Sequence, residues 1–278
     1  MPRIPTCVLS SSSPVHISDG HHPDRFVEIG SLTKVVTSTV LQRMEATGVL
    51  RGDDPIERWL NVPAGSGITL RHLAQHTSGL PRLPPKISRR DPYAAFDDRA
   101  LQGILERLQA LVQGPPGRHE EYSNLGYAIL GRALTVAGEA TYEELVHSYV
   151  LDPLGISDVA VLPPRERRLL APGRLRKERR PWTMSGAILP AGGLWATPEA
   201  AAALVVRLVV DRALGDPGLA WQTAGSLLWH NGATRDASVF AGAMSDGRWV
   251  LVHRLNGSPD TTDQLGLRSL KNQQTPPS

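Results

Sequence analysis

The chain has 278 residues, of which 41% are hydrophobic and 21% charged, as in a globular protein with one large domain or two closely packed lobes. A net charge of +3 is too small to indicate nucleic-acid binding. The single cysteine, Cys7, excludes an internal disulfide framework, and no stretch reaches the roughly 18 apolar residues of a membrane span. Because the first residues lack a basic segment followed by an apolar one, we expect a cytoplasmic protein without a secretion signal.

The N-terminal part predicts two short strands and a helix. Apolar stretches at Thr6–Leu9 and Val15–Ile17, separated by Ser and Pro residues, are typical of strands that pair with each other. Apolar residues at helical spacing follow Ser31 and continue to about Ala46, and Gly48 is a plausible end of this helix.

The middle of the chain is predicted to be mostly helical, and its C-terminal part returns to strands. Helices are predicted at Thr69–Gln75, Asp98–Val112, Asn124–Ala137, Tyr142–Val150 and Pro198–Arg212, the last capped by Thr197, with an Arg-rich loop at Pro163–Pro181. Strands are predicted at Ser226–Trp229, Ala237–Met244 and Trp249–Leu255, with a turn at Asp246-Gly247 and a last helix at Thr262–Leu270. Both chain ends are therefore β-rich around a helical middle.

The first candidate for chemistry is Ser31-Leu32-Thr33-Lys34. A serine and a lysine three residues apart on a helix share one face, and a serine at the helix start is exposed to a cleft. Desolvation and nearby positive charge lower the pKa of a lysine, which then accepts the serine proton. Taken alone, the pattern also fits a surface helix with a solvated lysine.

The second candidate is Tyr122-Ser123-Asn124. A phenol near a cationic lysine exchanges protons with a leaving group, and the Asn124 amide donates to an acyl carbonyl or contacts the lysine. The alternative is that Ser123 or Asn124 caps the helix that follows, which does not exclude the functional role.

The third candidate is His230-Asn231-Gly232-Ala233, at the end of a predicted strand. Gly232 allows a substrate backbone to lie against the strand, and the N–H of Ala233 pairs with that of Ser31 as an oxyanion hole. Taken alone, Asn231-Gly232 favours a β-turn with an incidental histidine.

The order and local sequence of these motifs resemble the superfamily of class C β-lactamases, DD-peptidases and family VIII esterases, which includes transacylases. Phe26–Lys34 resembles its nucleophile segment, Ile68–Leu80 resembles a helix and turn of the family, and Ala191–Thr197 resembles its glycine turn before a late helix. With the tyrosine and histidine motifs, five segments stand in the family order. The resemblance covers roughly Phe26 to Leu255.

The resemblance implies an α+β fold of the β-lactamase/transpeptidase type. An antiparallel sheet formed by both chain ends would pack with helices beside a mostly helical lobe, with the site between them. The lobes would comprise residues 1–55 with 190–278 and residues 56–189.

The resemblance also implies roles for individual residues. Ser31 is the nucleophile, and Lys34 and Tyr122 share the acid and base work, with the primary base left open. Asn124 positions the acyl side chain, and the N–H groups of Ser31 and Ala233 form the oxyanion hole beside Gly232. His230 takes the basic position of the strand, and Tyr93 and Trp182 either wall a pocket or serve packing alone.

Two residues depart from the family pattern. His230 stands where class C β-lactamases usually have Lys, and a histidine of ordinary pKa is mostly neutral at pH 7. Asn231 stands where carboxylate-binding members usually have Thr. Both changes weaken the expectation of a carboxylate-bearing β-lactam substrate.

We therefore expect an acyl-enzyme on Ser31, formed from a small-molecule ester or amide. The acyl group passes to water, as in an esterase or amidase, or to an amine or alcohol acceptor, as in transacylases of secondary metabolism. The alternatives are a D-amino-acid-specific peptidase or β-lactamase, and a penicillin-binding sensor that is acylated without turnover. No cofactor, nucleic acid or membrane partner is expected, and the oligomeric state stays open.

Two further patterns carry weaker hypotheses. His72 and His76 have a spacing that can bind zinc, but the glutamate of a metalloprotease pair is absent, so no metal is expected. The Arg-rich segment Arg165–Arg180 is most simply a solvated loop. A sharper hypothesis is that Arg176 and Arg179 contact an anionic acceptor.

Overall fold

A computed structural model describes residues 4–85, 88, 90–173 and 177–273. The strands are β1 (Thr6–Ser10), β2 (His16–Ser18), β3 (Val27–Glu28), β4 (Val159–Ala160), β5 (Trp195–Ala196), β6 (Gln222–Ala224), β7 (Leu227–Ala233), β8 (Ala237–Met244) and β9 (Trp249–Leu255). The helices are α1 (Thr33–Ala46), α2 (Leu70–Ala74), α3 (Asp98–Leu105), α4 (Asn124–Ala137), α5 (Tyr142–Val146), α6 (Asp152–Leu154), α7 (Leu189–Gly192), α8 (Pro198–Val205) and α9 (Pro259–Asn272).

The main sheet joins the two ends of the chain. Its six strands are antiparallel in the order β2-β1-β9-β8-β7-β6, so the N-terminal strand β1 pairs with β9 near the C-terminus. The central strand β8 is buried along nearly its whole length because α8 covers one face and α9 the other. This arrangement confirms the α+β fold with a sheet built from both chain ends. The division into two lobes stays a prediction.

Helix α1 lies at the centre of the molecule. It is buried on almost every side, including Thr37, Ser38 and Thr39, whose hydroxyls donate to backbone carbonyls of the preceding turn. These local hydrogen bonds satisfy the polar groups that burial would otherwise leave without partners. The one proton of the Thr37 hydroxyl is shared with the Pro190 carbonyl oxygen, which lies 2.7 Å from Oγ1 against 3.2 Å for that of Thr33, and this contact holds α7 against α1.

A second, smaller sheet was not predicted from the sequence. It has three strands in the order β3-β5-β4, each only two residues long. Strand β3 leads directly to the Ser31 turn. Strands this short carry too little alternation to be recognised in a sequence.

Most predicted elements are confirmed, with shifted ends. The N-terminal strands pair as predicted, α1 ends at Ala46, α4 has the predicted bounds, and Thr197 caps α8. Helix α3 is shorter than predicted because Arg107 leaves the helical conformation, and a 3₁₀ turn follows. The segment after α8 continues as a π-helical turn. Helix α9 is longer than predicted at both ends.

The largest correction concerns β7. The predicted strand ended at Trp229, whereas the structure extends it to Ala233, so Asn231-Gly232 lies inside a strand and the turn interpretation is wrong. Pairing with β8 continues along the whole strand, and these tertiary contacts override the local turn signal. The hairpin turn at Asp246-Gly247 is confirmed. No helix among the described residues is long and apolar enough to cross a membrane.

Candidate active site

A cleft of about 690 Å³ lies between β7, the start of α1 and the loops of the helical part. Its lining includes Ser31, Tyr122, Asn124, Gly232 and Ala233, which are five of the seven residues singled out in the sequence. Arg82 carries the only formal charge among the described residues of the lining. Tyr93 and Trp182 also line it, with their rings in a T-shaped contact at 6.2 Å.

Ser31 stands in a single 3₁₀ turn, Gly30–Leu32, that runs directly into α1. Gly30 precedes it with φ +48°, a left-handed conformation that suits glycine. A Cβ built on Gly30 would lie 2.9 Å from the backbone nitrogen of Ala233. The turn that presents the serine is therefore seated against β7.

Gly232 makes the reciprocal contact from β7. A Cβ on Gly232 would lie 2.3 Å from the carbonyl oxygen of Ile29 and 2.9 Å from the backbone nitrogen of Ser31. This glycine thus admits the chain's own nucleophile turn, Gly30–Leu32. Its predicted role in the approach of a substrate stays a prediction. The two glycines bring the Ser31 and Ala233 segments together at the cleft.

Lys34 lies one helical turn after Ser31 and is completely buried. Its Nζ donates to the Asn124 Oδ1 at 2.8 Å and to the Ala191 carbonyl oxygen at 2.6 Å, and lies 3.2 Å from the Ser31 Oγ. Burial, reinforced by the positive charge of Arg82, places the pKa of Lys34 well below its ordinary value. The alternative of a solvated surface lysine is therefore wrong.

Tyr122 also contacts Ser31. Its hydroxyl donates to the Ser31 Oγ at 2.6 Å, and the Lys34 Nζ lies 4.7 Å from its ring centroid. Burial raises the pKa of Tyr122 to about 12, although the Ser31 hydrogen bond and the Arg82 charge act in the other direction. The phenol thus stays protonated at neutral pH.

Asn124 connects the two sides of the cleft. Its Oδ1 accepts from Lys34, and its Nδ2 donates to the Tyr93 hydroxyl at 3.0 Å. The residue before it, Ser123, caps α4 by accepting from the Gly126 N–H. The capping alternative is confirmed for Ser123, and it leaves the Asn124 side chain available to the site.

His230 is the predicted substrate-binding residue whose side chain does not line the cleft. Because side chains alternate along a strand, it faces the side of β7 opposite to Asn231. It is 2% exposed, and its Nδ1 lies 2.6 Å from the Asn231 carbonyl oxygen. Burial lowers its pKa to about 3. The imidazole is therefore neutral and lies behind the site.

Three residues of the site were not identified from the sequence. Arg82 stacks over the Tyr122 ring at 5.3 Å, and His76 packs against the same ring at 4.5 Å. Ala191 contributes only its backbone carbonyl to Lys34. The resemblance marked the segments containing His76 and Ala191, but neither a backbone carbonyl nor a stacking contact leaves a side-chain signal in a sequence.

The histidines and arginines of the two weaker hypotheses make contacts within the chain. His72 completes the capping box of α2, while His76 accepts a hydrogen bond from the Ser123 N–H at Nδ1. Among the residues that the structure describes, no group of His, Cys, Asp or Glu has the arrangement of a metal site. Arg179 forms an ion pair with Asp236 at 2.7 Å, and Arg176 lies outside the described residues.

The family model described as beta-lactamase matches residues 15–267. The chain belongs to the beta-lactamase family of serine hydrolases. This confirms the resemblance to the class C β-lactamase and DD-peptidase superfamily.

Among curated proteins, the chain is similar to the D-alanyl-D-alanine-carboxypeptidase/endopeptidase AmpH of Escherichia coli (strain K12). The two are 32% identical over 183 residues, which is 63% of this chain and 46% of AmpH. It is also 30% identical over 156 residues to penicillin-binding protein 4* of Bacillus subtilis (strain 168), covering 53% of this chain and 32% of that protein. The chain thus matches less than half the length of these relatives.

Solved structures share the fold at lower identity. A β-lactamase/D-alanine carboxypeptidase from Yersinia pestis has a TM-score of 0.76 at 20% identity, over 97% of this chain and 92% of that one. A D-amino acid amidase from Ochrobactrum anthropi SV3 has a TM-score of 0.75 at 21% identity, over 97% and 93% of the two chains.

Proposed function

We propose that this protein transfers acyl groups through a covalent intermediate on Ser31, with Lys34 as the general base and Tyr122 as the proton donor to the leaving group. The substrate is a small ester or amide. The acyl group passes to water, or to an amine or alcohol that enters the same cleft. The site residues and their roles belong to this proposal.

The observation that carries the proposal is the hydrogen bonding of Lys34. A neutral amine has two N–H donors, and Lys34 has two carbonyl acceptors within 2.8 Å, Asn124 Oδ1 and Ala191 O. Its lone pair then faces Ser31 Oγ at 3.2 Å. Because burial already favours the neutral form, the lysine is arranged to accept the serine proton.

The same geometry assigns the proton route. As Ser31 Oγ bonds to the carbonyl carbon, its proton moves to Lys34 Nζ. The Tyr122 hydroxyl, which pointed at Oγ, donates its proton to the departing oxygen or nitrogen, and Lys34 then returns a proton to the phenolate. With a pKa of about 12, Tyr122 suits the role of donor better than that of first base, which supports Lys34 as the base in this proposal.

Charge on the carbonyl oxygen is stabilised by backbone N–H groups. Ser31 and Ala233 both line the cleft, and the interlocked glycines bring their segments together. Removing one such donor in other serine hydrolases lowers the rate by about 10²–10³-fold. We therefore assign the oxyanion hole to these two nitrogens.

The names of the relatives support a second, narrower candidate function, the hydrolysis of amide bonds next to D-amino acids. AmpH is a D-alanyl-D-alanine carboxypeptidase/endopeptidase, and one solved structure is a D-amino acid amidase, so amide bonds next to D-amino acids belong in any substrate panel. Esters are tested first, because their leaving group needs less help from a proton donor.

Intact-mass spectrometry tests the proposal. The protein is mixed with short-chain aryl esters, D-alanyl amides and a β-lactam, with and without hydroxylamine. We expect a transient adduct on the wild type, none on Ser31→Ala, and an unchanged adduct on the control Ser185→Ala, whose side chain lies on the surface outside the cleft. Transfer of the acyl group to an added alkyl amine in preference to water would indicate a transacylase.

Two other outcomes would contradict the proposal. A stoichiometric adduct that persists for hours without product would indicate a sensor that is acylated and does not turn over. An adduct of equal yield on Ser31→Ala would remove Ser31 as the nucleophile.

A further inference from the structure

Asn231 presents one particular end of its amide to the cleft. Trp229, Asn231 and Ala233 alternate along β7 and all line the cleft, next to Pro259 at the start of α9. From α9, Asp263 accepts a hydrogen bond from the Asn231 Nδ2 at 2.7 Å. An ionised carboxylate only accepts hydrogen bonds, so the amide nitrogen must face Asp263. The amide oxygen, Oδ1, must then face away from it.

The Oδ1 of Asn231 is available to a ligand. It receives no hydrogen bond from any described residue, and Asn231 is only partly buried at the wall of the cleft. A hydroxyl side chain can rotate to donate or accept, but this amide cannot, because Asp263 holds its donor end. The wall beside the oxyanion hole therefore offers an acceptor.

The charge behind this wall is negative. The second oxygen of Asp263, Oδ1, is buried without a hydrogen-bond partner among the described residues, so little compensates the carboxylate besides Asn231. Asp260, one turn earlier on α9, is exposed, so solvent screens its charge. A substrate carboxylate at this wall would meet an acceptor and the like charge of Asp263, whereas an ammonium group would be attracted.

We propose that Asn231, oriented by Asp263, is a specificity-determining residue that accepts a hydrogen bond from a cationic ammonium group of the substrate and disfavours a carboxylate. The inference rests on the proposed function, because it names the substrate class of the same cleft. Asn231 touches the substrate, and Asp263 is a positioning residue that acts through it.

Arg82 supplies the opposing charge and must be separated in the test. It lies over the Tyr122 ring, on the other wall of the cleft, and forms no ion pair with a described residue. An anionic group of a substrate would be drawn there. The Asn231 wall should therefore favour a cationic substrate group and the Arg82 side an anionic one. Separate variants must test each of the two sides.

The experiment compares three esters of the same phenylacetyl group, whose leaving alcohol ends in a primary ammonium, methyl or carboxylate group. A second series places these groups on the acyl side of a common phenyl ester. For the wild type we expect kcat/KM to favour the cationic over the anionic ester by about tenfold or more in one series. Asp263→Asn should reduce this ratio to a few-fold, and Asn231→Thr should do the same.

Asp260→Asn is the matched control. It removes the same charge from the same helix, but Asp260 is exposed and forms no hydrogen bond with Asn231, so the ratio should change far less. A purely structural role of Asp263 would lower kcat/KM for all three esters together and leave the ratio alone. An unchanged ratio in Asp263→Asn, or a wild-type preference for the carboxylate in both series, would overturn the proposal. So would a ratio that responds to Arg82→Gln but not to Asp263→Asn.

Failure of the proposed function is recognised separately. If the wild type hydrolyses none of the esters, calorimetric titration of the Ser31→Ala protein with the same compounds measures the preference without turnover. The cationic compound should bind more tightly than the anionic one, and this difference should disappear in the double variant Ser31→Ala/Asp263→Asn. That result would support the proposed specificity even though the reaction is unproven. Equal or no binding of the charged compounds would reject it.

Discussion

The Tyr122 hydroxyl donates to the Ser31 Oγ at 2.6 Å, which in the proposed mechanism directs the proton for the leaving group at the reacting atom. We expect Tyr122→Phe to lower kcat by about 10²–10⁴-fold, the range for loss of a general acid. Lys34 remains in place and acyl transfer persists at a low rate. Tyr149→Phe, a partly buried tyrosine outside the cleft, is the control. Equal rates for Tyr122→Phe and the wild type on a poor leaving group would contradict the assignment.

The acid limb of the pH profile should report Lys34. The lysine must be neutral to accept a proton, so acylation is lost as pH falls through its lowered pKa. The positive charge of Arg82 helps to lower this pKa, and Arg82→Gln should therefore move the acid limb to higher pH. The measurement is the single-turnover acylation rate against pH at constant ionic strength.

The control for this profile is Arg132→Gln, which removes an exposed positive charge from α4, outside the cleft. If Tyr122 were the first base, the rate would instead rise toward a limb near pH 12, where its phenol ionises. Because Arg82 lowers the pKa of both groups, the pH position of the limb discriminates between them, and a limb near pH 12 would reverse the roles of Lys34 and Tyr122.

The residues to which we assign the chemistry could be identified from the sequence because their signal is local. Ser31 and Lys34 share one helical turn, and Tyr122 and Asn124 stand two residues apart, so each pair is fixed by spacing once its element forms. Their meeting in one cleft came from the family resemblance. No spacing within either motif relates the two.

What escaped prediction depends on contacts between distant segments. Asn231-Gly232 is locally a turn signal, and only pairing with β8 and packing on the Ile29–Ser31 turn make it part of a strand. The orientation of the Asn231 amide depends on Asp263, which lies 32 residues later on a helix whose sequence shows no relation to the site. An amphipathic pattern can indicate such a helix, but it does not indicate which distant residue the helix contacts.

Gly232 should tolerate no side chain. In Gly232→Ala the new Cβ would lie 2.3 Å from the Ile29 carbonyl oxygen, so the nucleophile turn must move away from β7. We expect a loss of about 1–3 kcal/mol in unfolding free energy from overpacking. We also expect a fall of about 10²-fold or more in kcat as the oxyanion donors separate. Urea unfolding and kinetics on one ester measure both effects.

Gly103→Ala on α3 is the matched control, since its Cβ would meet only the distant end of the Arg107 side chain. A helical alanine should raise stability by about 0.5–1 kcal/mol there and leave kinetics alone. Wild-type kinetics in Gly232→Ala would show that the close approach of β7 does not position Ser31.

The fold should lose stability steeply in mild acid because four histidines are buried: His21, His76, His230 and His253. Burial lowers the pKa to about 4 for His21 and to about 3 for His76 and His230, and well below its usual value for His253. The unfolded chain therefore binds more protons than the folded one below about pH 6.5. Each histidine removes about 1.4 kcal/mol of unfolding free energy per pH unit until its folded pKa is reached.

Glu28 changes the pH dependence of stability in the direction opposite to the buried histidines, and it therefore tests the sign of these effects. Burial raises its pKa to about 7, so the folded protein takes up a proton that the unfolded chain does not bind until its ordinary value of 4.5. Glu28→Gln removes this uptake and keeps an acceptor for the Thr234 hydroxyl, so stability should fall more steeply between pH 6.5 and 4.5. The control His147→Asn, at an exposed position, should follow the wild type. Urea unfolding at several pH values from about 7.5 to 4.5 measures the slopes, and equal stability across that range would show that these histidines are not buried in the neutral form.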